Sequence, residues 1–484
     1  MAVRPVEWSR TAVQTGLTVQ QTHLASRWNT DMVVGQFTQE TKLVVIGGGA
    51  GGYAAALRAS ELDVPTILVD PLGACPHLAW LASKTIADVA RVSLAAETAA
   101  ACGIQFGQRQ LNLPQLRQWT DQVGEALTTR LEQMCTDRGI EIIRGVAVFE
   151  GPRQLVVHNG ANARVRFRRA IIATGTDPLP PPGGWPDSVA YTTPAGVLLR
   201  EQLPETLLVI GGEAAAVETA AACAALGSRV TLAAPGERLL ADVDADLVRQ
   251  LERRLGRLLD GISLATTTTV LGETDEGVQV EVAGSGTSIF EHVVLAHGVA
   301  PRTSELALDK AQVETADDGS IGVNEKLRTS NERIFAVGDV TGGPVLANRA
   351  IHQGRTAAEI VAGHDSIYEP RAVPNVVFTD PPIAWCGLTE TQAVAQGIPH
   401  VVRRADWSAS ARAVSLSQAD GLTKLIVEPQ TGLVLGMGIV GAMAPEMIGH
   451  GALAIEMGAV VDDLSAIVHA HPSLSELIAD AARG

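Results

Sequence analysis

Residues 43–70 read LVVIGGGAGGYAAALRASELDVPTILVD, which is an apolar strand, a glycine turn, an alanine-rich helix and a second apolar strand. Gly47, Gly49 and Gly52 stand on the GxGxxG spacing. The first glycine permits the tight turn, the second lets backbone approach a pyrophosphate, and the third lets the helix lie close on the strand. The helix start adds unpaired N–H groups and the positive end of its dipole. Asp70 closes the second strand about 20 residues on, where a carboxylate accepts both hydroxyls of an adenosine ribose. A lone GxGxxG says little. Flanked by both strands and followed by the acid, it predicts a dinucleotide-binding βαβ unit.

The rest of the chain bounds what can surround that unit. Its 484 residues suffice for about three domains. A net charge of −16 argues against nucleic acid and anionic membrane surfaces as partners. No apolar run reaches the roughly 18 residues of a membrane span, and the N-terminus lacks the apolar core of a secretory signal. Five scattered cysteines form no disulfide framework, which suits a reducing cytoplasm. Residues 1–40, rich in Thr, Gln and Val without periodicity, read as an N-terminal arm, with a transit peptide and a docking arm as alternatives.

After Asp70 the chain reads Leu72-Gly-Ala-Cys-Pro-His-Leu-Ala-Trp-Leu-Ala-Ser-Lys84, helical from about Leu78, with Trp80 and Lys84 on one face. This stretch resembles the GGTCLNVGCIPSK segment of the flavin-dependent pyridine nucleotide–disulfide oxidoreductases, in their dihydrolipoamide dehydrogenase and mercuric reductase branch. Cys75 matches the first redox cysteine, and Trp80 replaces the second, which in the family lies against the flavin. The redox disulfide is therefore expected to be absent, and Trp80 is expected to quench flavin emission from that position. Cys75 reads either as an inert thiol or as a reactive one.

The resemblance continues through the flavin motifs and implies FAD. Arg169–Gly175, RAIIATG, matches the strand that ends in the family's ATG turn and implies cofactor contacts at Ala173, Thr174 and Gly175. Ile334–Asp339, IFAVGD, matches the segment whose aspartate holds the ribityl chain, here Asp339 after Gly338. Val345–Asn348 and the helix after it resemble the segment under the flavin ring, which implies contacts at Leu346 and Ala347, with Ala147 a further one.

A second strand–turn–helix starts at Leu207 and runs LLVIGGEAAAVE. Gly211 and Gly212 are kept, but Glu213 stands where the second glycine of the motif belongs. A carboxylate about 4 Å from a phosphate costs up to about 4 kcal/mol at an effective dielectric of about 20, or roughly three decades of affinity. Ala234 stands where an NAD-specific relative has an acid, and no basic pair for a 2′-phosphate follows. Ala216 in place of the third glycine is tolerable. Against this, Lys84 and Glu218 match the family's ion pair beside the flavin on its nicotinamide side. A working NAD(P)H site and a vacated one both remain open readings here.

The fold class expected is α/β, with two Rossmann-like dinucleotide-binding domains and a C-terminal α+β dimerisation domain. The boundaries read as an arm over 1–40, a FAD-binding domain over 41–190 and 301–366, an NAD(P)-binding-like domain over 191–300, and a dimerisation domain over 367–484. The last contains His469-Ala-His471-Pro-Ser-Leu-Ser-Glu476, which resembles the family's acid–base histidine and its orienting glutamate. In the family that pair reaches the other subunit's flavin, so a homodimer is implied. With no thiol pair to serve, His471 either protonates another acceptor or holds the interface.

Two functions compete. One is an oxidoreductase that takes electrons from NAD(P)H through FAD to a small non-thiol acceptor, such as a quinone, a pyridine nucleotide or dioxygen, with Lys84, Glu218, His471 and Glu476 as its working residues. The other is a flavin-loaded partner protein without turnover. Mercuric reduction is disfavoured, because the C-terminus lacks paired cysteines. No metal site is expected.

Overall fold

The nearly all-apolar runs at 43–46, 66–69 and 170–172 become parallel neighbours at the centre of one sheet, as strands buried on both faces must. The computed structural model describes residues 38–71, 79–107, 110–158, 160, 162–186, 188–198 and 200–484. The arm up to residue 37, Cys75 and the side chain of Trp80 lie outside that description.

Strand β1 (Thr38–Ile46) opens ahead of the boundary expected at 41, and helix α1 (Ala50–Glu61) links it to β2 (Thr66–Val69). Helices α2 (Ala79–Thr98) and α3 (Leu113–Asp137) lead to β3 (Glu141–Ile143), which pairs with β2. An antiparallel run of β4 (Val146–Gly151), β5 (Gln154–His158) and β6 (Ala163–Ile172) returns to lie parallel beside β1. The resulting order is β3-β2-β1-β6-β5-β4.

The second unit repeats the logic with β7 (Thr206–Ile210), α4 (Ala214–Leu226), β8 (Arg229–Ala233), α5 (Ala245–Leu258), β9 (Gly261–Ser263) and β10 (His292–Leu295). Its four strands are parallel in the order β9-β8-β7-β10. A three-stranded antiparallel sheet packs Val270, Val278 and Val280 against Leu208 and Ile210.

The chain then returns to the first sheet. Strand β11 (Ile334–Ala336) pairs with β6, and helix α6 (Ala347–Ala362) crosses α1. A Cβ on Gly354 would stand 2.3 Å from the Gly51 carbonyl oxygen, so the two helices meet backbone to backbone. That contact anchors the segment that carries Gly338 and Asp339 beside the first glycine turn.

The C-terminal unit is an antiparallel sheet of β12 (Asn375–Val377), β13 (Ile383–Gly387), β14 (Val401–Asp406), β15 (Leu422–Val427) and β16 (Val434–Val440). The order is β12-β13-β16-β15-β14, with α7 (Glu390–Gln396), α8 (Ala444–Met457) and α9 (Glu476–Arg483) around it. Trp407 is fully buried there, and its indole N–H donates to Thr423 Oγ1 at 3.0 Å.

Candidate active site

The first glycine turn divides its labour. Gly47 adopts φ 111°, and a Cβ on it would lie 2.3 Å from the Ala173 carbonyl oxygen. A Cβ on Gly52 would lie 1.8 Å from the Gly47 carbonyl oxygen. Both glycines are demanded by the fold itself. Gly49 is different, because a Cβ there would meet nothing within 4 Å. Gly49 is also the N-cap of α1 and has no side chain to cap it, so the first N–H groups of the helix are left without a side-chain cap. That is the shape a pyrophosphate fills.

Asp70 is fully buried, and its Oδ2 accepts from Arg144 Nη1 at 2.6 Å, with the Tyr53 hydroxyl at 3.5 Å. Arg144 also pairs with Glu132. Arg144 carries no motif, and only the pairing of β3 with β2 brings it to Asp70, so no local pattern points to it. Ala173 donates its N–H to Ile46 at 2.8 Å, Thr174 Oγ1 donates to the Arg302 carbonyl at 2.7 Å, and Gly175 turns with φ 72°. Ala147 is buried on β4 opposite Val157.

At the second chain return, Gly338 adopts φ 74° and donates its N–H to Gln353 Oε1 at 2.7 Å. Asp339 follows. Its Oδ1 is buried and has no hydrogen-bond partner among the described residues. Burial raises its carboxyl pKa, opposed by Arg349 and by the N–H of Leu346, which caps α6 ahead of Ala347. A buried acceptor without a protein partner is what a polyhydroxyl chain would satisfy. The open Gly49 turn and the orphaned Asp339 oxygen together fit FAD.

Lys84 on α2 and Glu218 on α4 form an ion pair between the first and second units. Glu218 is buried, and its Oε1 accepts the backbone N–H of Phe378 at 2.8 Å. The Lys84 ammonium also lies 4.6 Å from the centroid of the Phe378 ring. Three parts of the chain thus converge on one charged pair. Phe378, just beyond β12, was not foreseen.

The second glycine turn keeps its geometry and loses its chemistry. Gly211 adopts φ 142° and donates its N–H to Ala233 at 2.8 Å, as Gly47 does to Val69. Glu213 is exposed at the N-cap of α4 without a side-chain cap bond. Ala216 and Ala234 are fully buried, and Gly212 lies beside Ala234. These residues do not fit a pyrophosphate and an adenosine ribose as the first set does.

His471 is exposed over 74% of its side chain, and its Nδ1 lies 2.8 Å from Glu476 Oε1. The Ser473 N–H donates to Glu476 Oε2 at 2.8 Å, and that bond and His471 hold the Glu476 carboxyl below its ordinary range. The imidazole is fixed at Nδ1 and presents its Nε2 outward. Burial pushes the Cys135 thiol to about 11 and those of Cys223 and Cys386 to about 12, which leaves them inert.

A third charged cluster lies away from these. The Lys424 ammonium, 1% exposed, meets Asp244 at 3.0 Å, Asp246 at 2.9 Å and Glu390 at 2.5 Å. The three carboxylates are close enough to hold a metal ion, but a lysine sits among them. No helix among the described residues is long and apolar enough to cross a membrane.

Comparison with known proteins places this geometry. The family described as pyridine nucleotide-disulphide oxidoreductase matches residues 41–354, and its dimerisation domain matches residues 373–482. A dihydrolipoyl dehydrogenase of Vibrio parahaemolyticus is 32% identical over 452 residues, covering 92% of this chain and 95% of its own. One from Halobacterium salinarum is 34% identical over 463 residues, 93% of this chain and 97% of its own. The crystal structure of LpdA from Mycobacterium tuberculosis superposes with a TM-score of 0.84 at 26% identity, over 92% of this chain and 99% of that one.

Proposed function

Because the chain belongs to the FAD-dependent pyridine nucleotide-disulphide oxidoreductase family, in its dihydrolipoyl dehydrogenase branch, we propose that it is a flavoenzyme without a redox dithiol, which passes electrons from a reduced nicotinamide, NAD(P)H in the family, to a small non-thiol acceptor. The Gly47–Gly49–Gly52 turn, Asp70, the segment Ala173–Gly175, Asp339 and the start of α6 at Leu346 and Ala347 are the residues that would hold FAD. FAD, when bound, supplies a centre that takes up two electrons and releases them to an acceptor.

The observation that carries this reading is the Lys84–Glu218–Phe378 arrangement. A buried carboxylate tied to a backbone N–H fixes the ammonium in place, and a fixed cation favours negative charge arriving beside it. The donor loses a hydride and leaves as the nicotinamide cation. Two electrons then pass to the acceptor, and a quinone so reduced takes two protons, one that comes with the hydride and one that His471 can deliver from Nε2, the Glu476 carboxylate at Nδ1 steadying the imidazolium before it gives that proton up. The dimerisation domain supports a homodimer in which His471 of one copy serves the other. Trp80 in place of the second cysteine is the reason to look beyond thiols.

The second reading, a flavin-loaded partner without turnover, is favoured by Glu213 and Ala234. An anaerobic titration of the holoprotein with reduced nicotinamides, read at the oxidised-flavin band, separates the two. Bleaching supports the enzyme. Bleaching by light or dithionite alone supports the partner.

A further inference from the structure

The two glycine turns of this chain are an internal comparison, since both sit on parallel strands with the same turn geometry. In the first, the phosphate-facing position is Gly49, open to 4 Å, and the strand beside it is followed by Asp70, whose carboxyl carbon lies 2.3 Å from where a Cβ on Gly48 would stand. In the second, Glu213 takes the place of Gly49 and is exposed. Ala234 takes the place of Asp70, with its Cβ 3.1 Å from where a Cβ on Gly212 would stand. An acid stands at the position that Gly49 holds in the first turn, and no acid stands at the position that Asp70 holds there. Arg238, in the loop that follows, donates to the carbonyls of Val243 at 2.9 Å and of Ala241 and is tied to its own backbone.

The other half of the site is intact. Lys84, Glu218 and the Phe378 N–H are assembled and mutually bonded. The second turn thus differs from the first at the residues that would meet the pyrophosphate and adenosine, while the charged group on the nicotinamide side is assembled. We propose that the second cleft selects reduced nicotinamides that lack the pyrophosphate–adenosine arm, dihydronicotinamide riboside being the simplest, and that Glu213 is the residue that excludes NADH and NADPH. The inference rests on the hydride-donor reading above, which it narrows. A neutral riboside carries no phosphate for Glu213 to repel and needs no acceptor at position 234. A dinucleotide meets the repulsion and forfeits the ribose bonds, each worth about tenfold or more in affinity.

Calorimetry on the photoreduced holoprotein tests this, because a protein already reduced cannot turn the donor over and only binding is read. Dihydronicotinamide riboside should bind at least about tenfold more tightly than NADH. Glu213→Gln, which removes the charge and keeps the bulk, and Glu213→Gly should each tighten NADH at least about tenfold. Both variants should leave the riboside within about twofold, which also shows that they fold. Adding Ala234→Asp to Glu213→Gly should tighten NADH further. NADH binding the unaltered protein more tightly than the riboside would overturn the proposal, as would NADH affinity indifferent to both Glu213 variants, or no binding of the riboside. Riboside that binds this way but fails to bleach the oxidised protein supports the selectivity and sinks the hydride-donor reading instead.

Discussion

Glu218 shows how much one carboxylate can hold. It neutralises Lys84, accepts the Phe378 N–H and is itself buried, so three segments are tied at one side chain. Glu218→Gln keeps an acceptor for Phe378 and leaves Lys84 without its counter-charge. It should destabilise the protein by about 2 kcal/mol, below a full buried-pair loss because Lys84 is partly exposed. It should also slow flavin reduction by at least about tenfold. Denaturant unfolding and anaerobic stopped-flow absorbance check the two effects separately, and an unchanged rate would remove the pair from the mechanism. The Lys84–Glu218 and His471–Glu476 pairs were reached through the resemblance of their motifs to those of the family, and the structure brings the members of each pair together. Arg144 and Phe378 were not legible in the sequence, since each reaches its partner only through the pairing of distant segments.

The first glycine turn makes an element-scale distinction that the bare spacing hides. Gly52→Ala forces a methyl into the Gly47 carbonyl oxygen and should cost folding stability, with much of the protein lost to aggregation. Gly49→Ala meets nothing within 4 Å, so it should fold normally and yet retain flavin poorly. Flavin-to-protein ratio after gel filtration, beside the melting temperature, separates a glycine needed by the fold from one needed by the ligand. The Lys424 cluster acts at the same scale, binding α5 and α7 to β15. Burial opposes the charge on Asp244, but the N–H groups of Glu390 and Thr391 and the Lys424 ammonium outweigh it and hold its carboxyl below the usual range. Lys424 is raised despite burial, by Glu390, Asp246 and Asp244. Asp244 therefore contributes stability above the ordinary carboxylate pKa that is lost as pH falls through its lowered value. Lys424 contributes below its ordinary pKa, and that part is lost as pH rises through its raised value. Lys424→Met leaves three acids facing one another and should cost about 3–5 kcal/mol near neutral pH. The cost should shrink in acid, where the carboxylates are protonated. A pH series of denaturation midpoints checks both statements.

At the scale of the molecule, the glycine turn, the ATG strand and the aspartate of IFAVGD announced a two-part flavin unit interrupted by a second βαβ unit. The sheets show how the interruption is bridged, with β11 pairing to β6 across about 160 intervening residues and α6 packing on α1 across about 285. That closure depends on backbone contact at Gly51 and Gly354, a long-range fact to which no local pattern points. The charge exchange between the two turns was half visible. Glu213 and Ala234 were plain in the sequence, while the equivalence of Gly48–Asp70 with Gly212–Ala234 needed the strands in register. In the proposed function electrons cross this molecule without a dithiol, and Cys75→Ser puts that to the test. Turnover of a reduced nicotinamide with benzoquinone, measured anaerobically on the holoprotein, should proceed in the variant at a rate within about twofold of the unaltered chain, because thiolate chemistry has no part in it. A rate reduced by about a hundredfold or more, with flavin content unchanged, would put Cys75 in the electron path and contradict transfer without a thiol.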